Sequence, residues 1–487
     1  MARPRFDPLP CVPPTENIPL SHDGNQWIPL ITCPADFPLE LFEVAIVQLV
    51  DHPEYNSTLI LRSERLLDTT TEFPTEIPRL DGFEPTRCIH RRLLPRRPGR
   101  DAALEQYCTL YSEGEKAASV LVLTPLGSPL PYYHPAVSHL AFRYLTAEPT
   151  TLRIEVLPLP DTPLDPNSRL YRTSLALLDT LHRYGWGAMT NYKKRVKHDN
   201  LVQREAYQDL YLIMRERHKH LVDTWQEATD PLKHVFEARD IGIATFLMLL
   251  WKETYRNCDT VGNDEEGSEP WPRPPGGFLD FGCGNGLLTH ILVSEGYSGC
   301  GIDLRARISW SHYPMATQSH LHVHAFDPFS PSPDPFLKSD VFIIGNHADE
   351  LTPWVPVLST LYSASGYLSI PCCPWSFDAK YDRSLQAPFP VNDDDAFKES
   401  LCLGSQASAV SAYSMYRVWL ASLSLHCGWK VECETLRIPS TRNWSIIGRQ
   451  RLEDCDANEH IEDILQSVCD RGIFKPRQPE GKSREDH

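Results

Sequence analysis

Hydrophobic and polar positions divide this chain into three regions of different periodicity. In the first, residues 1–165, short apolar runs such as "STLILRS", "ASVLVLTPL" and "TLRIEVLPL" are broken by proline. Apolar runs of this length between turn-forming residues predict strands, so we expect a β-rich, proline-rich domain here. In the second, residues 166–260, apolar residues recur at helical spacing, as in "AYQDLYLIMRERHKHLVDTWQEA". This period predicts a helical segment.

The third region alternates between the two patterns. It follows an acidic, Pro/Gly-rich stretch over 261–275, which indicates a linker. Over 276–450, "GFLDFG", "SGCGIDL", "HLHVHAFDP", "SDVFIIGN" and "GYLSIPC" predict strands, with helices such as "GLLTHILVSEG" and "WVPVLSTLYSAS" between them. Strands separated by helices predict an α/β fold with a doubly wound, mostly parallel sheet. Residues 451–487 are expected to form a polar C-terminal tail.

Composition narrows the class of protein. The 487 residues carry a formal net charge of −17, which argues against a surface that binds nucleic acid generally. No stretch approaches the roughly 18 apolar residues of a membrane span, and the start, "MARPRFDPLPCVPP", has no apolar signal region. The 14 cysteines contain no CxxC pair, which favours reduced thiols in the cytosol or nucleus over a disulfide framework. We expect a cytoplasmic protein without a metal site.

Two acid-free basic runs modify the conclusion from net charge. They are "RCIHRRLLPRRPGR" (87–100) and "RYGWGAMTNYKKRVK" (183–197). A charge run alone is typical of a solvated face, but runs interleaved with Tyr184, Trp186 and Tyr192 favour a surface for phosphates and bases. The candidate RNA contacts in these runs are Arg91, Arg92, Arg96, Arg97, Lys193, Lys194 and Arg195.

The stretch "LDFGCGNGLL" (279–288) places three glycines at alternate positions directly after a predicted strand. Glycine costs conformational entropy, so three in five residues indicate a backbone path that side chains would prevent. Asp303 ends the next predicted strand, 19 residues after Gly284. An acid at about this distance is well placed to accept hydrogen bonds from ribose hydroxyls. A glycine-rich stretch alone is typical of a tight turn, but the turn, the spacing and the acid together predict a cofactor site.

The DxGxGxG pattern that begins at Asp280 differs from the GxGxxG of nicotinamide and flavin enzymes. It resembles the first motif of class I methyltransferases, which bind S-adenosylmethionine. The resemblance implies that Asp280 holds the amino group of the cofactor, Asp303 its ribose and Asp327 its adenine. The candidate cofactor-binding positions are Asp280, Gly282, Gly284, Asn285, Gly286, Asp303, Asp327 and Asn346.

Longer strings resemble one family. "LDFGCGNGLLTHILVSEGYSGCGIDLRARISW", "GNHADELTPW", "IPCC" and "LRIPSTRN" are together similar to the eukaryotic tRNA (uracil-2′-O-)-methyltransferases, as are "LLPRRP", "NYKKRV" and "TDPLKHVFE". The resemblance covers roughly residues 85–450. It implies an enzyme that methylates the ribose 2′-hydroxyl of uridine 44 in serine tRNA. We see no C-terminal Cys/His zinc-finger spacing of the kind that some relatives carry.

Methyl transfer to a ribose oxygen needs a base or donors to the developing oxyanion. The string "GNHADEL" ends the fourth predicted strand of the α/β region. His347 is the candidate base, with Asp349 or Glu350 orienting its ring. Alternatively, the two acids cap the helix that begins at Leu351, as acids do at helix N-termini.

Two further features of the sequence each allow two interpretations. Cys372 and Cys373 are adjacent, which is poor geometry for chelating one ion, so we interpret them as packing or pocket wall. The rival interpretation is a cysteine that adds to C6 of uracil during methylation at C5. In "RIPSTRN", Arg442 is a candidate contact to tRNA phosphate. The alternative interpretation is that this stretch only forms a tight hairpin connection between two strands.

Two other classes of function stay open. One is a catalytically silent methyltransferase fold that serves as a tRNA-binding subunit, although the intact glycine turn and Asp303 count against it. The other is a protein methyltransferase, for which we would expect aromatic-lined grooves without basic runs.

Overall fold

The structure of the protein is a computed structural model. It describes residues 3–11, 18–22, 24–192, 197–221, 233–256, 271–330, 333–377, 379–382, 389, 394–403, 411–453, 456–472 and 474–475. The chain divides into two compact units, Met1–Lys193 and Lys194–His487. The sequence pattern instead placed a boundary at 165/166, because periodicity identifies a helix but not the core that its apolar face packs against.

An eight-stranded antiparallel sheet forms most of the first unit, with the strand order β1-β4-β10-β9-β8-β7-β6-β5. A separate two-stranded pair consists of β2 and β3. The strands are β1 (Leu9–Pro10), β2 (Ser21–His22), β3 (Asn25–Gln26), β4 (Ile28–Pro34), β5 (Ile60–Thr69), β6 (Glu84–Pro95), β7 (Leu104–Ser112), β8 (Val120–Leu126), β9 (Val137–Leu145) and β10 (Thr151–Pro158).

Two α-helices pack against this sheet and complete the core of the first unit. They are α1 (Phe42–Asp51) and α2 (Arg169–Met189). Ser168 caps α2 by accepting a hydrogen bond from the amide of Tyr171, 3.2 Å away. Gly185 permits close packing, because a β-carbon there would lie 2.1 Å from the ring of Phe37. The helix that the sequence pattern assigned to a separate segment is therefore part of this core.

A seven-stranded sheet forms the centre of the second unit, with the order β13-β12-β11-β14-β15-β19-β18. Neighbours from β13 to β15 are parallel, and β19 is antiparallel to both β15 and β18. The strands of this unit, with the small β16–β17 hairpin, are β11 (Phe278–Phe281), β12 (Gly299–Asp303), β13 (Leu321–Val323), β14 (Phe342–Asn346), β15 (Gly366–Ile370), β16 (Trp375–Ser376), β17 (Ala379–Lys380), β18 (Trp429–Thr435) and β19 (Trp444–Arg451).

Helices cover both faces of this sheet. They are α3 (Arg204–Arg217), α4 (Lys233–Thr254), α5 (Leu287–Ser294), α6 (Met315–Gln318), α7 (Trp354–Leu361), α8 (Asp394–Ser400), α9 (Ala412–His426) and α10 (Ala457–Arg471). Successive residues of a strand face opposite sides. Phe278 accordingly shares a buried cluster with Trp251 of α4, whereas Leu279 shares another with Val355 of α7 and Leu420 of α9.

Short 3-10 helices occur in both units, at Leu39–Leu41, Pro53–Tyr55, Ile308–His312 and Asp349–Leu351. The last of these follows β14 directly and so lies at the carboxyl end of the parallel strands. In the part of the chain that is described, no helix is both long and apolar enough to cross a bilayer.

Candidate functional site

The turn between β11 and α5 has a backbone that favours glycine at three positions. Gly282, Gly284 and Gly286 have φ angles of +84°, +55° and +77°. The amide of Gly282 donates to the carbonyl of Ile302, 3.0 Å away, which ties the turn to β12. At Gly286 a β-carbon would lie 3.0 Å from the methyl groups of Leu321. The three glycines are therefore required by backbone conformation and by close packing.

Asp303 holds the middle of this turn. Its Oδ2 accepts a hydrogen bond from the amide of Gly284 at 2.9 Å, and its Oδ1 accepts one from the amide of Arg305 at 3.3 Å. The guanidinium of Arg307 lies 3.7 Å from Oδ1. A carboxylate offers about four lone-pair sites, so these contacts fix its position and leave acceptor capacity for further donors.

A cavity of about 970 Å³ opens beside the turn, at the carboxyl ends of the parallel strands. It brings together six of the candidate site residues, Gly282, Gly284, Asp303, His347, Asp349 and Glu350. Its apolar walls include Ile302, Leu304 and Phe326. No atom lies within 4 Å of the place where a β-carbon on Gly284 would stand, so this backbone presents a bare surface to the cavity.

Asp280 lies beneath the turn and does not line the cavity. It is 1% exposed and accepts a hydrogen bond from Thr289 Oγ1 at 2.9 Å. Burial raises the pKa of Asp280 to about 7, and the nearby carboxylates of Asp240 and Asp303 also raise it. Asp240, on α4, is buried as well, and burial raises its pKa. Sequence reasoning missed Asp240, since helical periodicity does not reveal which strand end a helix faces.

Asn346 reaches this buried acidic pair from the end of β14. Its side-chain amide donates a hydrogen bond to Asp240. Its Oδ1 is buried and has no partner among the described residues. Asn346 is not part of the cavity wall, and its amide instead hydrogen-bonds to the acid on α4.

Two other candidate cofactor residues have local structural roles. The side chain of Asn285 accepts a hydrogen bond from the amide of Leu287 at 3.0 Å, which satisfies a donor at the start of α5. The carboxylate of Asp327 accepts one from the amide of Phe329 at 3.0 Å, as in a turn. Because β13 ends at Val323, Asp327 does not end the third strand as the sequence pattern predicted, and it does not line the cavity.

His347 follows β14 with a φ of +55°, a conformation that is rare for residues other than glycine. Its backbone amide donates to the carbonyl of Ile370 at 3.2 Å. Burial lowers the pKa of His347 to about 4, and the charge of Arg239 lowers it further while Asp349 opposes the shift. The ring is therefore neutral near pH 7, and its Nε2 is buried without a partner among the described residues.

Asp349 interacts with a cysteine at the end of β15. The thiol of Cys372 donates to Asp349 Oδ1 at 3.1 Å and lies 3.6 Å from Cys373 Sγ. Burial and the two neighbouring groups raise the pKa of Cys372, which favours the thiol over the thiolate. The three ligand atoms lie within 4.8 Å of one another, a spacing that could hold a metal ion. The sequence could not show this, because Asp349 and Cys372 meet only through the parallel pairing of two strands.

Four polar residues that line the cavity were not among the site residues predicted from the sequence. They are Arg307, His324, Lys380 and Lys475. His324 hydrogen-bonds to Asp334 through its Nε2 at 2.7 Å. These residues come from four separate segments, and no common motif in the sequence connects them.

The basic candidates have different environments. Arg91 is only 3% exposed and hydrogen-bonds inside the first unit, so the prediction that it contacts RNA is wrong. Arg92 is partly exposed and pairs with Glu105, at 2.7 Å. Arg96 and Arg97 are exposed at the end of β6. Lys193, Lys194 and Arg195 lie outside the described residues.

Arg442 lies in the connection between β18 and β19. It is exposed, and its guanidinium stands over the ring of Tyr413, 3.8 Å from the centroid. Its neighbour Arg437 forms a pair of hydrogen bonds with Asp199, at 2.7 and 2.5 Å. Of these two arginines, Arg437 stabilises the fold, and Arg442 presents its charge at the surface.

Two family models match the chain. Residues 8–195 match one described as a TRM44-like, N-terminal bet v1-like domain, and residues 201–328 match a predicted AdoMet-dependent methyltransferase. The first match includes the helix α2, in agreement with its packing in the first unit.

Curated relatives match over most of their length. The tRNA (uracil-O(2)-)-methyltransferase of Schizosaccharomyces pombe is 36% identical over 92% of this chain and 89% of the relative. The proteins of the same name from Neurospora crassa and Saccharomyces cerevisiae are 33% and 30% identical, over 89% and 87% of this chain and 88% and 87% of the relatives. The chain thus belongs to the tRNA (uracil-O(2)-)-methyltransferase family.

Proposed function

We propose that this chain methylates the ribose 2′-oxygen of uridine 44 in serine tRNA. Membership of the family makes it an S-adenosylmethionine-dependent methyltransferase that acts on tRNA uridine. The observation that carries the proposal is the cavity in which a bare glycine turn, the Asp303 carboxylate and the His347–Glu350 segment meet. The serine tRNA and position 44 rest on the resemblance of the long sequence strings.

The fold supports a class I methyltransferase domain with a doubly wound sheet. The five strands from β13 to β15 are parallel, and helices pack on both faces. In such sheets a ligand binds outside the carboxyl ends of the strands, near the point where the strand order reverses. Here the order reverses between β11 and β14, which is where the cavity opens.

Two features of the cavity support S-adenosylmethionine as its ligand, the bare glycine backbone and the Asp303 carboxylate. Gly284 leaves room for close approach to its backbone, and Asp303 retains acceptor capacity for two ribose hydroxyls. The apolar side chains of Ile302, Leu304 and Phe326 offer a wall for a flat purine. We assign the cofactor to Gly282, Gly284 and Asp303, with Asp280 and Asn346 supporting the turn from below. When bound, the cofactor supplies an electrophilic methyl group on sulfur.

The chain's own task is to place a ribose hydroxyl in line with that methyl group and to take up its proton. His347 suits the second role because its ring is neutral near pH 7 and lines the cavity. Asp349 and Glu350 line the same wall and add negative charge beside the ring. We propose His347 as the base, with the two acids as positioning residues.

We propose Arg96 and Arg97 as tRNA contacts of the first unit and, independently of them, Arg442 as a tRNA contact of the second. All three are exposed, and guanidinium groups bind phosphate in bidentate fashion. Arg92 is a weaker candidate, because Glu105 already neutralises it. The cysteines that the structure describes are all free thiols, which fits the reducing cytoplasm that we propose as the location.

Replacing Gly284 by Ala should weaken the binding of S-adenosylmethionine by about tenfold or more, equivalent to about 1.4 kcal/mol. The β-carbon would occupy space that the cofactor approaches, and the positive φ adds strain. The measurement is isothermal titration calorimetry with S-adenosylhomocysteine and the cofactor itself.

The matched control for this variant is Gly114→Ala. Gly114 has a φ of +62° and equally open space, but it lies in the first unit. Both variants should therefore lower the melting temperature to a similar degree, and only Gly284→Ala should change the affinity. If the two variants bound S-adenosylmethionine with equal affinity, the turn would not be part of the cofactor site.

Replacing Arg96 and Arg97 by Ala should weaken tRNA binding and flatten its dependence on salt. The slope of log affinity against log salt should fall by roughly 1.5, since each lost phosphate contact removes about 0.7–0.9. The affinity for S-adenosylhomocysteine should not change. A double variant of Arg79→Ala and Lys116→Ala removes the same charge from exposed positions of the same unit and should leave the slope intact. If the Arg96→Ala/Arg97→Ala variant kept the wild-type salt slope, these two arginines would not contact tRNA and would belong to an ordinary solvated face.

A serine tRNA with 2′-deoxyuridine at position 44 should accept no methyl group from the purified protein, because the acceptor oxygen is missing. The same tRNA with its deoxynucleotide at position 45 should be methylated at a rate close to that of the natural sequence. The measurement is transfer of a tritiated methyl group, followed by nuclease mapping of the product.

The rival route at C5 of uracil predicts the opposite results. It would leave the 2′-deoxyuridine tRNA active and would require a cysteine near the methyl group. A Cys372→Ala/Cys373→Ala protein should keep most of its activity if oxygen is the acceptor. Methylation of the deoxyuridine tRNA, or an inert double variant that still binds cofactor and tRNA, would contradict the ribose assignment.

A further inference from the structure

A cluster of three metal-ligand side chains lies just beyond the ends of β14 and β15. It consists of Asp349, Cys372 and Cys373, and one ligand atom from each lies within 4.8 Å of the other two. Within the part of the chain that the structure describes, no other group of three His, Cys, Asp or Glu side chains has this spacing. Cys372 is half-buried, whereas Cys373 and Asp349 are exposed, so an ion in solution can reach the cluster.

The pairing of the two strands brings these side chains together. β14 and β15 are parallel neighbours, and Asn346 stands opposite Ile370 at their ends. The amide of His347 donates to the carbonyl of Ile370 at 3.2 Å, which joins the two segments directly beyond the strands. The hydroxyl of Tyr413 donates to the carbonyl of Pro371 at 2.7 Å. The sheet and α9 therefore fix where the three ligands stand.

The expectation of no metal site rested on the adjacency of the two cysteines. Neighbouring residues of a β-strand face opposite sides of the sheet, so their thiols could not share one ion. However, β15 ends at Ile370, and the chain bends at Cys373. The Sγ atoms of Cys372 and Cys373 consequently lie 3.6 Å apart. Two sulfur ligands of a tetrahedral zinc ion lie about 3.8 Å apart, since each Zn–S bond is about 2.3 Å long.

Asp349 supplies the third donor that the sequence did not reveal. Its Oδ1 accepts a hydrogen bond from the thiol of Cys372 at 3.1 Å. In a tetrahedral zinc site, a carboxylate oxygen and a sulfur ligand lie about 3.6 Å apart. An ion that takes the place of the thiol proton therefore requires these two atoms to separate by only about 0.5 Å.

The donor set determines which ion fits. Thiolates are soft ligands that favour zinc, whereas magnesium and calcium favour sites made of oxygen atoms. Three protein ligands leave one position of a four-coordinate ion open. Asp349 and Cys373 both line the cavity at the carboxyl ends of the parallel strands, so the ion would stand at its wall.

We propose that Asp349, Cys372 and Cys373 bind one thiophilic divalent cation of the Zn²⁺ type. On binding, the two thiols lose their protons to the solvent, and the two thiolate sulfurs and the carboxylate oxygen bond to the ion. Water takes the fourth position. Since methyl transfer to oxygen is expected to persist without the two thiols, the ion is an addition to the cavity and not its catalyst. This metal site is therefore independent of the proposed function.

Cobalt(II) is the spectroscopic probe, added to the full-length protein without an affinity tag and with a phosphine reductant that keeps the thiols reduced. The wild-type protein should bind one Co²⁺ per chain and show a thiolate-to-cobalt charge-transfer band in the near ultraviolet. Zn²⁺ should displace the cobalt with a Kd below about 1 μM, and Mg²⁺ should leave the band unchanged.

Three ligand variants and one matched control assign the site. Cys372→Ser, Cys373→Ser and Asp349→Asn should each lower the zinc affinity by at least about tenfold, while circular dichroism stays native. Cys469→Ser removes an exposed free thiol from α10 and should leave zinc binding unchanged. Wild-type protein that binds no cobalt, displacement of cobalt by Mg²⁺, or full zinc affinity in both Cys372→Ser and Cys373→Ser would overturn the proposal. Loss of zinc binding in Cys469→Ser would also overturn it, since the ion would then bind elsewhere.

Discussion

The hydrogen bond from the Gly284 amide to the Asp303 carboxylate is the interaction on which the glycine turn beside the cavity of the second unit depends. It joins the end of β12 to a turn whose three glycines have positive φ angles. Without those angles the chain could not pass from β11 into α5 while leaving its backbone bare toward the cavity. Asp303 therefore both holds the turn in place and lines the cavity, so its position and the conformation of the turn depend on each other.

A second constraint lies beneath the turn, where Asp240 and Asp280 are both buried. Burial raises the pKa of each, and for Asp280 the value is about 7. Asp240 also pairs with Arg239, whose Nε lies 3.2 Å from its Oδ1, and this ion pair opposes the rise in its pKa. Two carboxylates in a region of low dielectric disfavour double ionisation, so Asp280 is the acid that titrates near neutral pH. Thr289 and Asn346 donate hydrogen bonds to them and limit the cost of burial. Neither buried acid lines the cavity, whereas Asp303 faces it from the end of β12.

The sequence was informative where function depends on local spacing. The glycine turn and Asp303 lie within one strand–helix–strand unit, so their pattern could be recognised from 25 residues. Arg91 was misjudged for a different reason. The run 87–100 is mostly β-strand, in which alternate residues face opposite sides, so Arg91 is buried while Arg92 is partly exposed. Contacts such as Asp349–Cys372 and Asp240–Asn346 join distant segments, and no local pattern predicts them.

We have proposed that this cavity, in which Asp303 holds the glycine turn, methylates uridine 44 of serine tRNA at its ribose. The most direct measurement is nucleotide-resolution mapping of 2′-O-methyl groups in tRNA from cells whose only copy of this chain is wild type or carries Asp303→Ala. The methyl group at position 44 of serine tRNAs should disappear in the variant, and other ribose methyl groups should persist. A fully methylated uridine 44 in cells that contain only the stable Asp303→Ala protein would contradict it.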